Sequence, residues 1–226
     1  MLPANNVINK PFVFLVDSPS HNDLYDGYSI GMALRDALRA IRIPCFYTLA
    51  TCKGNFQSAL SFRLPDAIAQ MQPSANINAI PFIHLCMHGL PNGVGLTDNS
   101  FIDWQELRRL LFAHNYAKGR DPYICMASCN GFNATNMASA FDSAFNILIG
   151  NMGVVLQSDV TVAYMSFYNH LFCKYSNFDT AVQAMRHASG DHNFYYAIGE
   201  QVKNQRFSEM QSQSFNNPWP NPQPSF

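Results

Sequence analysis

Five short apolar runs, each followed by turn-forming residues, alternate with segments of helical periodicity along this chain of 226 residues. The runs fall at residues 11–17, 44–50, 80–87, 123–128 and 146–150. Apolar runs of this length predict buried strands, and apolar residues spaced three and four apart predict helices. The predicted helices cover residues 28–41, 62–71, 103–114, 133–145, 160–172, 178–188 and 194–202. The alternation predicts an α/β fold, in which a central, mainly parallel sheet of about five to six strands is flanked by helices.

The length suits one domain followed by a tail. We expect the domain to cover residues 1–207. Residues 208–226 are rich in Gln, Ser, Asn and Pro, and four prolines fall within the last nine positions. This composition predicts a flexible, extended tail.

Composition and charge argue against several classes of partner. The net charge is -1 and no run of Lys or Arg is present, so nucleic acid is not an expected partner. No apolar stretch reaches the roughly 18 residues of a membrane span, and the first residues lack the pattern of a signal peptide. The six cysteines do not form the dense pattern of a small disulfide-rich domain. We therefore expect a cytoplasmic protein, without a cofactor or a metal.

Two of the apolar runs lead into a reactive side chain that is close to a glycine. The third run leads to His88 and Gly89, and the fourth leads to Cys129 and, two residues later, Gly131. The carboxyl ends of parallel strands meet at one edge of a sheet, so we expect His88 and Cys129 to lie together. A thiol attacks a carbonyl as its thiolate, and an adjacent imidazole can take its proton. The N–H groups of Gly89 and Cys129 are then candidates for an oxyanion hole.

The order of the two residues narrows the class of enzyme. His88 precedes Cys129 by 41 residues (129 minus 88). Papain-like enzymes and class I glutaminases place the cysteine before the histidine, and no His-x-Glu follows Cys129. Caspase-type enzymes place the histidine about 50 residues before a cysteine that is flanked by small residues and glycine.

The motifs in this order resemble the catalytic core of caspase-like (clan CD) cysteine peptidases, and within that clan the CHAT branch related to separase. The resemblance rests on residues 88–89, 95–98, 102–107 and 127–131, with further likeness at 147–152, 158–161, 167–168, 181–186 and 192–197. It spans residues 11–204 and implies a caspase-like sandwich that hydrolyses peptide bonds in a protein or peptide substrate. It assigns His88 as the base, Cys129 as the nucleophile, and the amides of Gly89 and Cys129 as the oxyanion hole. It also implies regulated proteolysis of a defence or cell-death type, with an activating or regulatory protein partner.

The charges of the residues expected near the active site indicate which substrate side chain is preferred at P1, the residue before the cleaved bond. Caspases bind an acidic P1 residue with arginines, one of them in the loop after the first strand, but here that loop contains no Lys or Arg. It contains aspartates, which would pair with a Lys or Arg at P1. A basic P1 is therefore the hypothesis, with Asp26 and Asp159 as the leading pocket residues and Asp17 as a third. Ala127 is a further candidate, because several caspase relatives carry Asp or Gln two residues before the nucleophile. Ordinary loop and capping roles for these aspartates, and an uncharged P1, remain open.

Three other interpretations remain open. His84, Cys86 and His88 alternate along one strand and would share a face, which suits a zinc ligand set, although the first two are more simply core residues. A second interpretation is a caspase-like interaction module without activity, with the tail as its docking element. A third is a thiol hydrolase that acts on a small amide in a closed, deep pocket.

Overall fold

The computed structural model describes residues 7–118 and 122–216. Its strands are β1 (Ile8–Ser18), β2 (Cys45–Leu49), β3 (Ile77–Leu90), β4 (Gly93–Gly95), β5 (Phe101–Asp103), β6 (Tyr123–Ala127), β7 (Ile147–Asn151) and β8 (Phe194–Ile198). The central sheet has the order β2-β1-β3-β6-β7-β8, and all its neighbours pair in parallel except β7 and β8. The strands β4 and β5 form an antiparallel ribbon on the carboxyl end of β3. The predicted α/β fold with a mainly parallel sheet of five to six strands is confirmed.

The helices cover both faces of this sheet. They are α1 (His21–Tyr25), α2 (Ile30–Ala40), α3 (Lys53–Ser58), α4 (Leu64–Met71), α5 (Trp104–Lys118), α6 (Gln157–Tyr168), α7 (Phe178–Ser189) and α8 (Gly199–Asn216). A π-helical turn, Ala59–Arg63, joins α3 to α4, a second, Asn169–Cys173, extends α6, and Gly131–Met137 is a 3₁₀-helix. None of the helices in the described residues is both long and apolar enough to cross a bilayer.

Two hydrophobic cores lie on opposite sides of the sheet. One is formed with α2, α6 and α7, and the other with α3, α4, α5 and the 3₁₀-helix. Each central strand therefore buries both of its faces, which explains why the strands read as continuous apolar runs rather than as alternating patterns.

Local signals in the sequence define several element ends. The carboxylate of Asp103 accepts a hydrogen bond from the N–H of Glu106 at 2.7 Å and so caps α5, as the Asp-x-x-Glu pattern predicts. Asn177 caps α7 in the same way, by accepting from the N–H of Thr180 at 2.9 Å. The same helix ends at Gly190, whose φ of +73° is a left-handed conformation that glycine adopts without strain.

Two predicted helices are wrong. Residues 133–145 contain only the 3₁₀-helix, because Ser139 accepts hydrogen bonds from the N–H groups of Phe141 and Asp142 and so replaces helical bonds by a turn. Residues 194–198 form the edge strand β8 rather than the start of a helix, in keeping with the strand preference of its three aromatic residues.

The predicted tail also needs correction. The helix α8 continues to Asn216, so residues 208–216, which the composition predicts to be flexible, are helical. The rest of the predicted tail, residues 217–226, lies outside the described residues.

Candidate active site

The neighbouring parallel strands β3 and β6 carry His88 and Cys129 to the same edge of the sheet. Cys86 of β3 lies opposite Ala127 of β6 in the register, and the two reactive residues each follow two positions later. His88 is exposed and Cys129 is half-buried. Both line one cavity of about 120 Å³ at the carboxyl ends of these strands. The convergence expected from the sequence is therefore present in the fold.

A tight turn directly after β6 presents the thiol. The N–H of Gly131 donates to the carbonyl of Ser128 at 3.2 Å, and Asn130 adopts a left-handed φ of +53°. Asn tolerates this conformation better than most residues. A Cβ on residue 131 would lie 2.7 Å from the Cβ of Met126, so only glycine lets the turn pack this closely on the strand.

Gly89 and Cys129 are in direct backbone contact. A Cβ built on Gly89 would lie 1.6 Å from the carbonyl oxygen of Cys129 and 2.8 Å from its nitrogen. The glycine is thus required by the close approach of two main chains. The N–H of Cys129 donates to no acceptor within the described part of the chain, so it is available to an oxygen atom bound beside the thiol.

A loop at residues 152–156, between β7 and α6, forms the wall next to the sulfur. The N–H of Val155 donates to Cys129 Sγ at 3.5 Å, and the thiol faces the Val155 carbonyl at 3.8 Å. The N–H of Asn130 also donates to this loop, at the carbonyl of Gly153, over 2.8 Å. These contacts fix the thiol through main-chain atoms, so they do not depend on which side chains the loop carries.

The cavity is acidic. Two carboxylates, Asp17 and Asp23, lie on its wall, and no Lys or Arg is among its described lining residues. Hydroxyl groups of Ser18 and Ser20 and the amide of Gln157 come from the same lining segments. The neighbourhood therefore favours a ligand with positive charge or hydrogen-bond donors.

Asp17 is the buried carboxylate of this pair. It is 1% exposed and accepts hydrogen bonds from Ser29 Oγ at 2.5 Å and from Tyr47 OH at 2.9 Å. Burial raises the pKa of this carboxyl above its ordinary value, and the two hydroxyl donors oppose that rise. A Cβ on Gly31 would lie 2.4 Å from Asp17 Cγ, so the first turn of α2 closes directly over the carboxylate.

Asp23 reaches the cavity from a different element. Ser20 Oγ accepts a hydrogen bond from its N–H at 3.1 Å, which caps α1, and Gln157 Nε2 at the start of α6 donates to Asp23 Oδ2 at 3.2 Å. In the sequence, Asp23 is one aspartate among others in the stretch that follows the first strand, and no local signal distinguishes it. Its place in the cavity depends on how α1 meets α6, which no local pattern reveals.

The remaining sequence candidates divide into two groups. Asp17 and Ala127 line the cavity together with His88, Gly89 and Cys129. The two leading candidates for the P1 pocket, Asp26 and Asp159, are not among its lining residues. Asp26 is the C-cap of α1, and Asp159 lies in the first turn of α6, where it accepts a hydrogen bond from Ser158 Oγ at 3.1 Å.

The zinc interpretation has no support from the arrangement of side chains. His84 is fully buried, and its Nδ1 lies 2.8 Å from the hydroxyl of Tyr168. Burial lowers the pKa of His84 to about 3 and raises that of the Cys86 thiol. Among the described residues, no group of three or more His, Cys, Asp or Glu side chains is placed to hold a metal ion. His84 is a core residue whose second ring nitrogen has no hydrogen-bond partner in the described structure.

The fold is similar to that of a secreted C11 cysteine protease from Bacteroides thetaiotaomicron, called iotapain, whose X-ray structure is known. The TM-score is 0.58 at 10% sequence identity, over 88% of this chain and 69% of that chain. No protein-family model and no curated protein matches the sequence. At this level of identity the similarity concerns the fold alone, a central, mainly parallel sheet flanked by helices that matches the caspase-like architecture of that protease. The caspase-like part of the sequence resemblance is thus confirmed at the level of fold, whereas the CHAT branch remains a prediction.

Proposed function

We propose that this protein is a caspase-like cysteine endopeptidase in which Cys129 is the nucleophile and His88 is the base. One observation carries the proposal: on a caspase-like fold, His88, Gly89 and Cys129 converge on one cavity at the ends of β3 and β6. A His and a Cys so placed have the residue types that acyl transfer through a thiol requires.

The proposed reaction has two halves. His88 takes the proton of Cys129, the sulfur attacks the peptide carbonyl carbon, and the N–H groups of Gly89 and Cys129 donate to the oxyanion that forms. The intermediate collapses as His88 protonates the leaving amine, which leaves a thioester on Cys129. A water molecule, deprotonated by His88, then attacks the thioester carbon. The C–S bond breaks, which releases the carboxylic acid, and His88 returns the proton to the Cys129 thiolate. Each oxyanion donor typically contributes about 10²–10³ to kcat.

A basic P1 residue is the preference that we propose. The cavity beside the thiol holds Asp17 and Asp23 and no described Lys or Arg, so a P1 ammonium or guanidinium would find opposite charge there. The Asp17 carboxylate already accepts hydrogen bonds from two side-chain hydroxyls. The Asp23 carboxylate accepts only one hydrogen bond from a described side chain, that of Gln157. Asp23 is therefore the better placed of the two to bind an incoming cation directly.

The wider setting of this activity is also a proposal. The motifs at residues 88–89 and 127–131 support a CHAT-type enzyme, for which regulated proteolysis under the control of a protein partner is expected. All six cysteines are free, which is compatible with a reducing cytoplasm.

Cleavage of fluorogenic peptides that differ only at P1, with Lys, Arg, Asp or Ala, tests the proposal. We expect cleavage after Lys and Arg by the natural sequence and by the control Cys173→Ala, which removes an exposed thiol, but none by Cys129→Ala or His88→Ala. A thiol-reactive peptide ketone with Lys at P1 should label Cys129 and no other cysteine. Cleavage after Asp would contradict the P1 preference alone. Absence of both cleavage and labelling would favour the interaction module.

A further inference from the structure

The edge strand β2 offers unpaired main-chain groups to a partner. Within the described residues β2 pairs only with β1. The N–H of Val13 donates to the carbonyl of Pro44, and the N–H of Ala50 donates to that of Asp17. The main-chain groups of Pro44 and Ala50 thus face β1. Because these groups point to opposite sides in successive residues of a strand, those of Phe46 and Thr48 face β1 as well. The N–H and C=O groups of Cys45, Tyr47 and Leu49 consequently face outward.

A groove of about 550 Å³ lies at this strand. We call it the β2 groove. Helix α2 contributes Arg35 and Arg39 to it, and α4 contributes Asp66 and Gln70. Arg63 comes from the π-helical turn that joins α3 to α4. The open edge is thus bordered by cationic side chains from the elements on both faces of the sheet.

The β2 groove carries surplus positive charge. Arg35 pairs with Asp36 at 2.7 Å and lies over the ring of Tyr47, 5.1 Å from its centroid. Arg39 and Arg63 are exposed and form no ion pair with a described carboxylate, and Asp66 is the single carboxylate among the groove's described lining residues. Two arginine charges are therefore free to contact a ligand of opposite sign.

We propose that the β2 groove binds an acidic, extended peptide segment of a partner protein, which adds to the sheet as a strand beside β2. The outward N–H and C=O groups of Tyr47 and Leu49 would pair with its main chain, and its Glu or Asp side chains would contact Arg39 and Arg63. Five residues of β2 present a length of about 17 Å, which suits a short segment. The proposal does not require the chain to be a peptidase.

Charge also argues against a second copy as the occupant. Two chains that paired through β2 about a two-fold axis would place the same surface against itself. Arg39 and Arg63 of one chain would then lie near the same arginines of the other, which is unfavourable. An acidic partner meets no such repulsion, and arginines beside an open edge also discourage self-pairing.

Fluorescence anisotropy with a labelled peptide of alternating Glu and Val tests the proposal on full-length Cys129→Ala, which cannot cleave the probe if the chain is a peptidase. We expect the Glu and Val peptide to bind, with an affinity that falls as the salt concentration rises. A control peptide of the same length, with Lys in place of each Glu, should not bind. The double variant R39Q/R63Q should weaken binding about tenfold. The control Arg109→Gln, which changes an exposed arginine of α5, should bind as the parent does.

A second variant tests the main-chain pairing. Leu49→Pro removes one outward N–H and keeps the hydrogen bonds toward β1, a substitution that edge strands tolerate. We expect weaker peptide binding, with folding checked by circular dichroism. Equal binding of the Lys peptide, or binding unaffected by both R39Q/R63Q and Leu49→Pro, would overturn the proposal. A dimer in sedimentation experiments that Leu49→Pro dissociates would also overturn it, in favour of a second copy.

Discussion

Gly89 lies against the main-chain carbonyl of Cys129, with no room for a Cβ atom between the two segments. Contact between their main chains thus holds Gly89, which follows the candidate base, in a fixed position relative to Cys129, the candidate nucleophile. This contact gives a physical reason for a glycine directly after His88, and it brings two candidate oxyanion donors together.

Gly89→Ala should lower peptidase activity by at least about 10²-fold, because the added methyl group would overlap the Cys129 carbonyl and displace the thiol. A displacement of about 1 Å can cost about 10²-fold in rate. The matched control is Gly95→Ala, in the neighbouring strand β4, where a Cβ would lie 3.6 Å from His88 Cβ in ordinary contact. The measurement is kcat/KM on the preferred peptide, together with the melting temperature of each variant. Activity of Gly89→Ala equal to that of Gly95→Ala would contradict the role of this contact.

Asp23→Asn should reduce cleavage after Lys and Arg without affecting cleavage after Ala. The carboxylate lies on the cavity wall, so its neutralisation removes attraction for a P1 cation, which we expect to lower kcat/KM about tenfold. Asp26→Asn is the matched control, since it changes a nearby aspartate that does not line the cavity. A parallel loss on the Ala peptide would show instead that Asp23 acts through folding or through the position of α6.

The sequence was sufficient for the parts of the site that depend on strand order. Apolar runs closed by turn residues identified β3 and β6, and parallel pairing then requires their carboxyl ends to meet, which brings His88 near Cys129. The capping pattern at Asp103 likewise follows from neighbours in the chain.

The cavity wall could not be predicted in the same way. The choice between Asp23 and Asp26 depends on how α1 is oriented, and the hydrogen bond from Gln157 that joins it to α6 spans 134 positions. Local patterns also failed where short-range competition decides the structure. Ser139 diverts main-chain donors from a helix, and the five residues of β8 are too few for periodicity to separate strand from helix.

His84 should make the fold sensitive to acid. Burial lowers its folded-state pKa to about 3 from an unfolded value of 6.5. Its contribution to stability is therefore fully present above pH 6.5 and is lost as the pH falls toward 3, at up to about 1.4 kcal/mol per pH unit. In His84→Phe this titration is absent, so the unfolding free energy should fall less over the same range. Urea denaturation at neutral pH and at about pH 5 measures the difference in slope.

The control for this prediction is His187→Gln, which changes an exposed histidine of α7. It should keep the acid sensitivity of the natural sequence. The comparison concerns slopes because His84→Phe also loses the contact of Nδ1 with Tyr168, which affects stability at every pH. Identical slopes for His84→Phe and the natural sequence would show that other groups cause the loss of stability in acid.

Asp17 should have the opposite dependence on pH, because its folded-state pKa is raised above the unfolded value of 3.8 by burial. The stability that it contributes is fully present below pH 3.8 and is lost as the pH rises through the raised pKa, above which the native state holds a buried charge.

The variant Asp17→Asn tests this dependence, because its amide does not titrate. The natural sequence should therefore lose stability relative to Asp17→Asn as the pH rises from about 4 to neutral. Urea denaturation of both proteins across this range gives the difference directly. A difference that is constant with pH would mean that Asp17 carries the same charge in the folded and unfolded chains, and that the hydrogen bonds from Ser29 and Tyr47 offset the cost of its burial.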